Sequence, residues 1–289
     1  MIEYDAHDWR GHLLDIKGSM VREILARVLV CVVWSALVVA VHKYIWPIGI
    51  SSTVHSLVGV ALGLLLVFRT NASYDRFWEG RKLWGGIVNE CRNLSRASRS
   101  LLKGDPQLYE ALIHWTSAFT YASMHRLRNT EGLGPAASLL PRDEVDAVLA
   151  AGNVPLAVSI RMNECLVQAQ DRGLISDYLL GTLDQNIQLL IDYLGGCERI
   201  HRTPLPFVYV VHLRRALLLY CFTLPFALVT EFGWAAVADT FGVAYIFFGI
   251  EEIGVEIEDP FGLDANDLPL LEICDRIHAD LIALLPPSC

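Results

Sequence analysis

Residues Gly59–Gly86 read GVALGLLLVFRTNASYDRFWEGRKLWGG and form the most informative segment of the chain. It begins as an apolar helix with Gly59 and Gly63 four residues apart, and it passes Phe68 and Arg69 with no turn signal. Beyond Arg69 it becomes a polar helix rich in aromatic residues and arginine. An apolar helix that continues into a charged one is typical of a segment that leaves a membrane into the cytosol. The small residues favour close packing of several copies of this helix, which is one way to build a pore.

The composition also favours a membrane protein. The chain has 289 residues, of which 53% are hydrophobic and 19% charged, and its mean hydropathy is +0.39. Soluble domains usually carry about 25% charged residues, so a membrane or a large oligomer interface is expected to cover the excess apolar surface. The net charge of −9 argues against a nucleic-acid partner, because phosphate binding needs clustered Lys and Arg.

Four apolar runs stand out along the chain. Each uninterrupted run is shorter than the roughly 18 to 20 residues expected of a membrane-spanning helix, since Asp239 lies inside the fourth, and this leaves open a soluble, all-helical binding protein. Against that alternative, the runs form two pairs joined by short links, Lys43–Thr53 and Thr230–Phe232. Trp46 lies in the first link and Trp234 next to the second, where an aromatic belt at a membrane surface would place them. The runs are Val28–Val41, Val54–Phe68, Ala216–Val229 (interrupted by Pro225) and Phe232–Ile250.

Charge asymmetry predicts the orientation of these runs. Lys43 is the only basic residue of the first link and the second link has none, whereas the flanks and the long middle segment are rich in Arg and Lys. The positive-inside rule then predicts four spans with both termini in the cytosol. The expected divisions are an N-terminal cytosolic segment 1–23, two membrane helices 24–75, a helical cytosolic region 76–203, two further membrane helices 204–256, and an acidic loop with a C-terminal cytosolic helix 257–289.

The middle of the chain reads as helical throughout, with no alternating strand pattern. It also lacks the nucleotide-binding loop, the dinucleotide fingerprint and the nucleophile elbow, so no enzymatic activity is expected. The predicted helices are Leu108–Arg128, Arg142–Ala151, Pro155–Gln170 and Ser176–Ile200, with a last one in the tail at Asp267–Leu285.

Val60, Leu64 and Phe68 recur every four residues and share one helix face. Such a stripe is ordinarily explained by packing in a core or against lipid. If copies of the helix surround an axis, the same side chains form stacked apolar rings, which gate ions because a narrow apolar bore expels water.

A second feature is an acidic run that follows the fourth apolar segment. A run of this kind usually forms a solvated face, but carboxylates on a loop also supply the oxygen ligands that calcium prefers. Its members are Glu251, Glu252, Glu256, Glu258, Asp259, Asp264 and Asp267, with Pro260, Gly262 and Asn266 making part of it a loop.

With these features in place, the chain resembles the bestrophin family, and specifically its bacterial branch. The similarity covers nearly the whole chain and rests on several motifs in one order. They are Lys17-Gly-Ser19, FRTNASYDRF at Phe68–Phe77, RKLW at Arg81–Trp84, LGGCER at Leu194–Arg199, TPLPF at Thr203–Phe207, EDPFG at Glu258–Gly262 and NDLP at Asn266–Pro269.

The resemblance implies an all-α membrane protein that assembles as a homopentamer around a central pore in the bacterial inner membrane. Each subunit would contribute four transmembrane helices and a large helical cytosolic region. The partners implied are other copies of the chain, membrane lipid and permeating monovalent ions. The family's hydrophobic neck maps onto Val60, Leu64 and Phe68, and its cytosolic aperture maps onto Tyr178.

The same resemblance implies a possible calcium site, since animal members are calcium-gated chloride channels. Asp264 and Asp267 match the two carboxylates of their calcium clasp, while Asp259 stands where an asparagine is usual. No other cofactor is implied. For the permeating ion we expect cations to be slightly favoured over chloride, because the chain is acidic. Arg69 beside the neck could instead favour anions, or could pair with a carboxylate of a neighbouring subunit. A calcium-gated anion channel and a non-conducting membrane scaffold or receptor are the alternatives.

Overall fold

A computed structural model of the chain describes residues 7, 8 and 18–285. Within these residues every regular element is helical. Most of the predicted N-terminal segment 1–23, and the last residues of the predicted C-terminal segment, lie outside the described residues. We label the described helices α1 (Val21–Tyr44), α2 (Ser52–Leu101), α3 (Pro106–Leu127), α4 (Arg142–Leu149), α5 (Val154–Asp171), α6 (Asp177–Arg202), α7 (Phe207–Phe232), α8 (Ala235–Glu256) and α9 (Leu270–Ile282), with a short 3-10 helix at Gly134–Leu139.

The described chain divides into two compact units. The first contains the residues up to Phe77 together with Pro204–Asp259 and Asp264–Asp267. The second contains Trp78–Thr203, Pro260–Leu263 and the described residues from Leu268 onward. The division passes through α2 between residues 77 and 78, close to the point where the sequence pattern turns from apolar to charged.

The first unit is a bundle formed by α1, α7, α8 and the first half of α2. Helix α1 packs against both α7 and α8, and α7 packs against α8. One apolar core joins the four helices; its members include Ile24 and Val28 of α1, Leu62 and Leu66 of α2, Leu213 and Leu217 of α7, and Ala244 and Phe248 of α8. The helices thus meet through single stripes, and their outer faces carry exposed apolar side chains.

Among the described residues, three helices have the length and apolar composition needed to cross a membrane: α1, α2 and α7. In the most apolar 18-residue stretch of each of these helices, at most 33% of the residues are buried within the chain. Helix α8 is not among them. It carries Asp239, Glu251, Glu252 and Glu256, whereas the apolar part of α2, Val54–Phe68, contains no acidic residue. The structure therefore gives three candidate spans by composition where the sequence predicted four.

The second unit is a helical domain organised around α3. Helix α3 is buried on almost all of its faces, against α5, α6, α9 and the 3-10 helix. Asp105 caps its start by accepting a hydrogen bond from the Leu108 amide at 3.0 Å, and Pro106 occupies its first position. Asn153 caps α5 in the same way. These are the residue types that satisfy the free amides of a helix N-terminus.

Two local differences separate the structure from the sequence-based boundaries. Pro225 does not interrupt the third apolar run, since α7 continues through it to Phe232. The second link is also not Thr230–Phe232, because the turn falls at Gly233 and Trp234. Gly233 adopts a φ of 54°, a left-handed conformation that glycine reaches without strain.

Candidate functional site

The apolar stripe of α2 is uncovered in a single chain. Val60, Leu64 and Phe68 are 66%, 56% and 64% exposed, respectively. Large apolar side chains on one helix row need a lipid, a protein or a narrow pore beside them, because leaving them in water is costly. The assignment of the stripe to a pore neck stays a prediction.

The opposite face of α2 is packed against α7. His55 stacks on Tyr220 with 4.1 Å between ring centroids, and its Nε2 lies 3.1 Å from the Thr223 hydroxyl. At Gly59 an added Cβ would lie 2.6 Å from the Tyr220 hydroxyl, whereas Gly63 has nothing within 4 Å. Gly59 therefore serves close packing inside one chain, whereas Gly63 borders open space.

At the charged ends of the four helices lies a cluster of arginine and glutamate side chains, which we call the Glu251 cluster. Glu251 is 2% exposed and lies close to three arginines. Its carboxylate is 2.8 Å from Nε of Arg214, 3.6 Å from Arg27 and 3.9 Å from Arg69. Each helix of the first unit contributes a charge to this cluster, whose members are Arg27, Arg69, Arg214, Glu251, Glu252 and Glu258.

Arg69 is 1% exposed and pairs within its own chain. Its Nη2 lies 3.4 Å from Glu258 and 3.9 Å from Glu251. This differs from both sequence-based suggestions, a free cation beside the neck and a pair with a neighbouring subunit. The physical reason is that Arg69 follows Phe68 by one residue, which turns its side chain about 100° around the helix and into the bundle.

The acidic run is also split by the structure. Glu251 and Glu252 lie on α8 and are buried, so a solvated face is the wrong interpretation for these two residues. Arg27 donates to Glu252 at 2.7 Å. The sequence analysis missed this cluster, although one signal for it was present. A basic residue flanks each of the first three apolar runs, and two adjacent glutamates follow the fourth.

The loop after α8 joins Asp264 and Asp267, the two residues of the predicted calcium site, through a hydrogen bond from backbone to side chain. The Asp264 amide donates to Oδ2 of Asp267 at 2.8 Å. Asp267 is buried, and its Oδ1 has no hydrogen-bond partner among the described residues. Burial, with help from the nearby carboxylates, raises the pKa of Asp267 to about 6. An orphaned, buried carboxylate oxygen suits a cation, but the described residues contain no group of three or more His, Cys, Asp or Glu side chains that could hold a metal.

Tyr178 is the second residue of α6 and is 81% exposed. Ser176 caps this helix by accepting a hydrogen bond from the Leu179 amide at 3.4 Å. The cap fixes the first turn and holds Tyr178 at an uncovered position of the second unit. Its predicted place at an aperture concerns an assembly of several chains and stays a prediction.

Comparison with known proteins assigns the family. A sequence profile described as bacterial/fungal bestrophin protein matches residues 1–283. The chain belongs to the bacterial and fungal bestrophin family. It is 40% identical to the voltage-dependent anion channel-forming protein sll1024 of Synechocystis, over 96% of this chain and 93% of that protein. It is 32% identical to the YneE protein of Escherichia coli K12, also called a voltage-dependent anion channel-forming protein, over 98% of this chain and 94% of that one.

Solved structures agree with this family. The crystal structure of a bacterial bestrophin homologue from Klebsiella pneumoniae matches with a TM-score of 0.86 at 32% identity, over 91% of this chain and 98% of that chain. The resemblance stated from the sequence motifs is thereby confirmed. The all-helical fold is confirmed as well for the residues that the structure describes.

Proposed function

We propose that this chain forms a homopentameric ion channel whose neck is lined by Val60, Leu64 and Phe68. The observation that carries the proposal is the uncovered apolar stripe on α2, in a chain that belongs to the bestrophin family. Five copies around an axis would cover the stripe and stack it into apolar rings. A narrow apolar bore resists wetting, so an ion passes only when the bore widens or hydrates.

In this proposal α1, α2, α7 and α8 all cross the bacterial inner membrane, with both termini in the cytosol. Its acidic residues make α8 less apolar than a typical membrane-spanning helix. Two of them, Glu251 and Glu252, are however paired with arginines of α1 and α7. Paired charges at the end of a helix are tolerated at a membrane boundary far better than isolated ones. The basic residues flanking the apolar runs support the cytosolic side for these ends.

For the permeating ion we propose a slight preference for monovalent cations over chloride. Arg69 supports this choice, because its charge is buried and paired with Glu258 and Glu251 instead of facing the stripe. The names of the relatives favour the alternative, an anion channel. Reversal potentials in an asymmetric KCl gradient separate the two, since the sign of the potential follows the sign of the permeating ion.

The neck is tested by replacing Val60, Leu64 and Phe68 together with alanine and reconstituting the protein into liposomes or bilayers. Conductance should rise, because smaller side chains widen the bore and make it easier to wet. The matched control is the triple alanine change at Leu29, Val33 and Leu37 of α1, which have the same spacing and are similarly exposed. Unchanged conductance in the α2 variant, or an equal rise in the control, would refute the neck assignment.

A second constriction is proposed at Tyr178, where an exposed ring from each subunit would narrow the cytosolic exit. Replacing it with alanine should increase conductance without changing thermal stability, because the side chain is uncovered in one chain. If conductance and selectivity both stay as in the parent protein, Tyr178 lies away from the ion path.

We also propose Asp264 and Asp267 as the carboxylates of a calcium site, with backbone carbonyls or water completing the oxygen ligands. The orphaned Oδ1 of Asp267 supports this assignment. Calcium should raise the melting temperature of the parent protein and leave the Asp264→Ala/Asp267→Ala variant unchanged. A parent protein that gains no stability from calcium lacks the site.

The alternatives of another class have their own tests. A non-conducting scaffold or receptor would assemble in the membrane but show no flux at any calcium concentration. A soluble binding protein would be extracted into buffer without detergent. The exposed apolar faces of α1, α2 and α7 argue against this last alternative.

A further inference from the structure

A cavity of about 240 Å³ opens beside the Glu251 cluster, within the first unit. Its polar end is formed by Arg27 and Arg214, with Glu251 next to them. Its apolar wall is formed by Leu217 and Phe248, which are buried, and by Leu218, which is exposed. A site with a cationic end and an apolar wall suits an amphiphile with an anionic head.

The two arginines at this cavity have guanidinium N–H groups that donate no hydrogen bond within the described residues. Their side chains are 42% and 51% exposed for Arg27 and Arg214, respectively. Among the described residues, Arg214 pairs with Glu251 alone, through its Nε. Arg27 donates through Nη1 to Glu252. The remaining guanidinium N–H groups are free to donate, and a guanidinium is well suited to bidentate binding of phosphate.

The charged side chains that line the cavity are mostly cationic, although the Glu251 cluster as a whole, with three arginines and three glutamates, is neutral. Two arginines and one glutamate line the cavity, which gives a net charge of +1. Glu252 and Glu258 complete the cluster but do not line the cavity. Arg27 also pairs with Glu252 and Arg69 also pairs with Glu258, whereas Arg214 depends on Glu251 alone. An anion that enters the cavity would therefore be held by hydrogen bonds from the unused N–H groups of Arg27 and Arg214, and not by an excess of positive charge.

The surroundings decide which anion fits best. Free phosphate would leave the Leu217, Leu218 and Phe248 wall unused, whereas a phospholipid would place its acyl chains along that wall. Basic pockets between membrane helices on the cytosolic side are known to suit anionic lipid headgroups. We propose that this cavity binds the headgroup of an anionic phospholipid of the inner leaflet, such as phosphatidylglycerol. The proposal rests on the membrane orientation given above.

The test uses the purified full chain in a non-ionic detergent. Short-chain phosphatidylglycerol, short-chain phosphatidylcholine and glycerol 3-phosphate are titrated separately, and the melting temperature is followed. Phosphatidylglycerol alone should raise it. An equal rise with phosphatidylcholine would show only general lipid coating, and an equal rise with glycerol 3-phosphate would show a free-anion site; either result overturns the proposal.

Three variants locate the effect. Arg214→Gln should shift the midpoint of the phosphatidylglycerol titration about tenfold or more, the amount expected from losing charged hydrogen bonds. Leu218→Trp should weaken binding while leaving both arginines in place, because the larger ring fills the cavity. Arg92→Gln is the control, since Arg92 is similarly exposed and pairs with Asp280 in the second unit. A weakening in Arg92→Gln equal to that in Arg214→Gln would refute a specific site.

Native mass spectrometry gives a readout that does not depend on thermal stability. Parent protein should retain phosphatidylglycerol over phosphatidylcholine, and Arg214→Gln should lose that preference. The outcome is separable from the channel proposal. Lipid preference without ion flux would contradict the channel and leave the site standing, and flux without lipid preference would do the reverse.

Discussion

Replacing Glu251 with glutamine should destabilise the protein strongly, although the two side chains have nearly the same shape. The carboxylate is buried and has arginine nitrogens at 2.8, 3.6 and 3.9 Å. Removing one partner of a buried ion pair costs about 3 to 5 kcal/mol. We place the change at the lower end, about 3 kcal/mol, because Arg27 keeps Glu252 and Arg69 keeps Glu258. Arg214 loses its carboxylate but is half exposed, so water replaces part of the interaction.

The assay is thermal unfolding in detergent, with Glu252→Gln as the matched control. Glu252 pairs with Arg27, which also lies 3.6 Å from Glu251 and is partly exposed. Glu252 is itself buried, but the charge that its loss leaves behind, on Arg27, is partly exposed and still faces Glu251, so we expect a cost of about 1 kcal/mol. At about 2 °C or more per kcal/mol, Glu251→Gln should lower the melting temperature by about 6 °C or more and the control by about 2 to 4 °C. Equal shifts in the two variants would refute the view that Glu251 is the centre of the cluster.

Two further predictions concern the second unit. Burial holds the pKa of His114 below its usual range, so the unfolded chain binds the proton more readily and stability should fall as pH drops below about 6.5. His114→Gln should reduce the difference in melting temperature between pH 7.5 and 5.5, and an unchanged difference would contradict this account. Gly134→Ala should cost about 1 to 3 kcal/mol, because Gly134 has a φ of 60° and its Cβ would lie 2.4 Å from the Tyr121 ring. Gly152→Ala, where nothing lies within 4 Å, should be nearly neutral in the same unfolding measurement, and similar losses in both would refute the steric argument.

The helices could largely be predicted from the sequence, because hydrophobic periodicity and capping residues are local signals. The continuity of α2 through Phe68 and Arg69 follows from the lack of any turn residue there. The full extent of α2, however, does not follow from the sequence pattern. The stretch Gly59–Gly86 predicts one continuous helix, while α2 reaches from Ser52 to Leu101. Charged residues end an apolar run without ending a helix, so composition underestimates the length.

The tertiary contacts of the charged residues could not be predicted from local patterns. Glu251 and Glu252 belong to an acidic run, and acidic runs are usually solvated. Their burial depends on Arg27 and Arg214, which are distant in sequence and brought close only when α1, α7 and α8 pack. The spacing of the α2 stripe could be predicted from the sequence, whereas what covers the stripe is not encoded in any local pattern.

The adjacency of Phe68 and Arg69 on one uninterrupted helix has an evolutionary consequence. Phe68 lies on the uncovered stripe, and Arg69 is buried beside the carboxylates of Glu251 and Glu258. A residue inserted between Leu64 and Arg69 would therefore rotate the stripe by about 100° relative to Arg69. A substitution by a similar residue in this part of α2 keeps the stripe and Arg69 in register, whereas an insertion or deletion does not. Among related sequences, insertions and deletions should therefore occur in the links at residues 45–51 and 128–141, while the length of α2 stays constant.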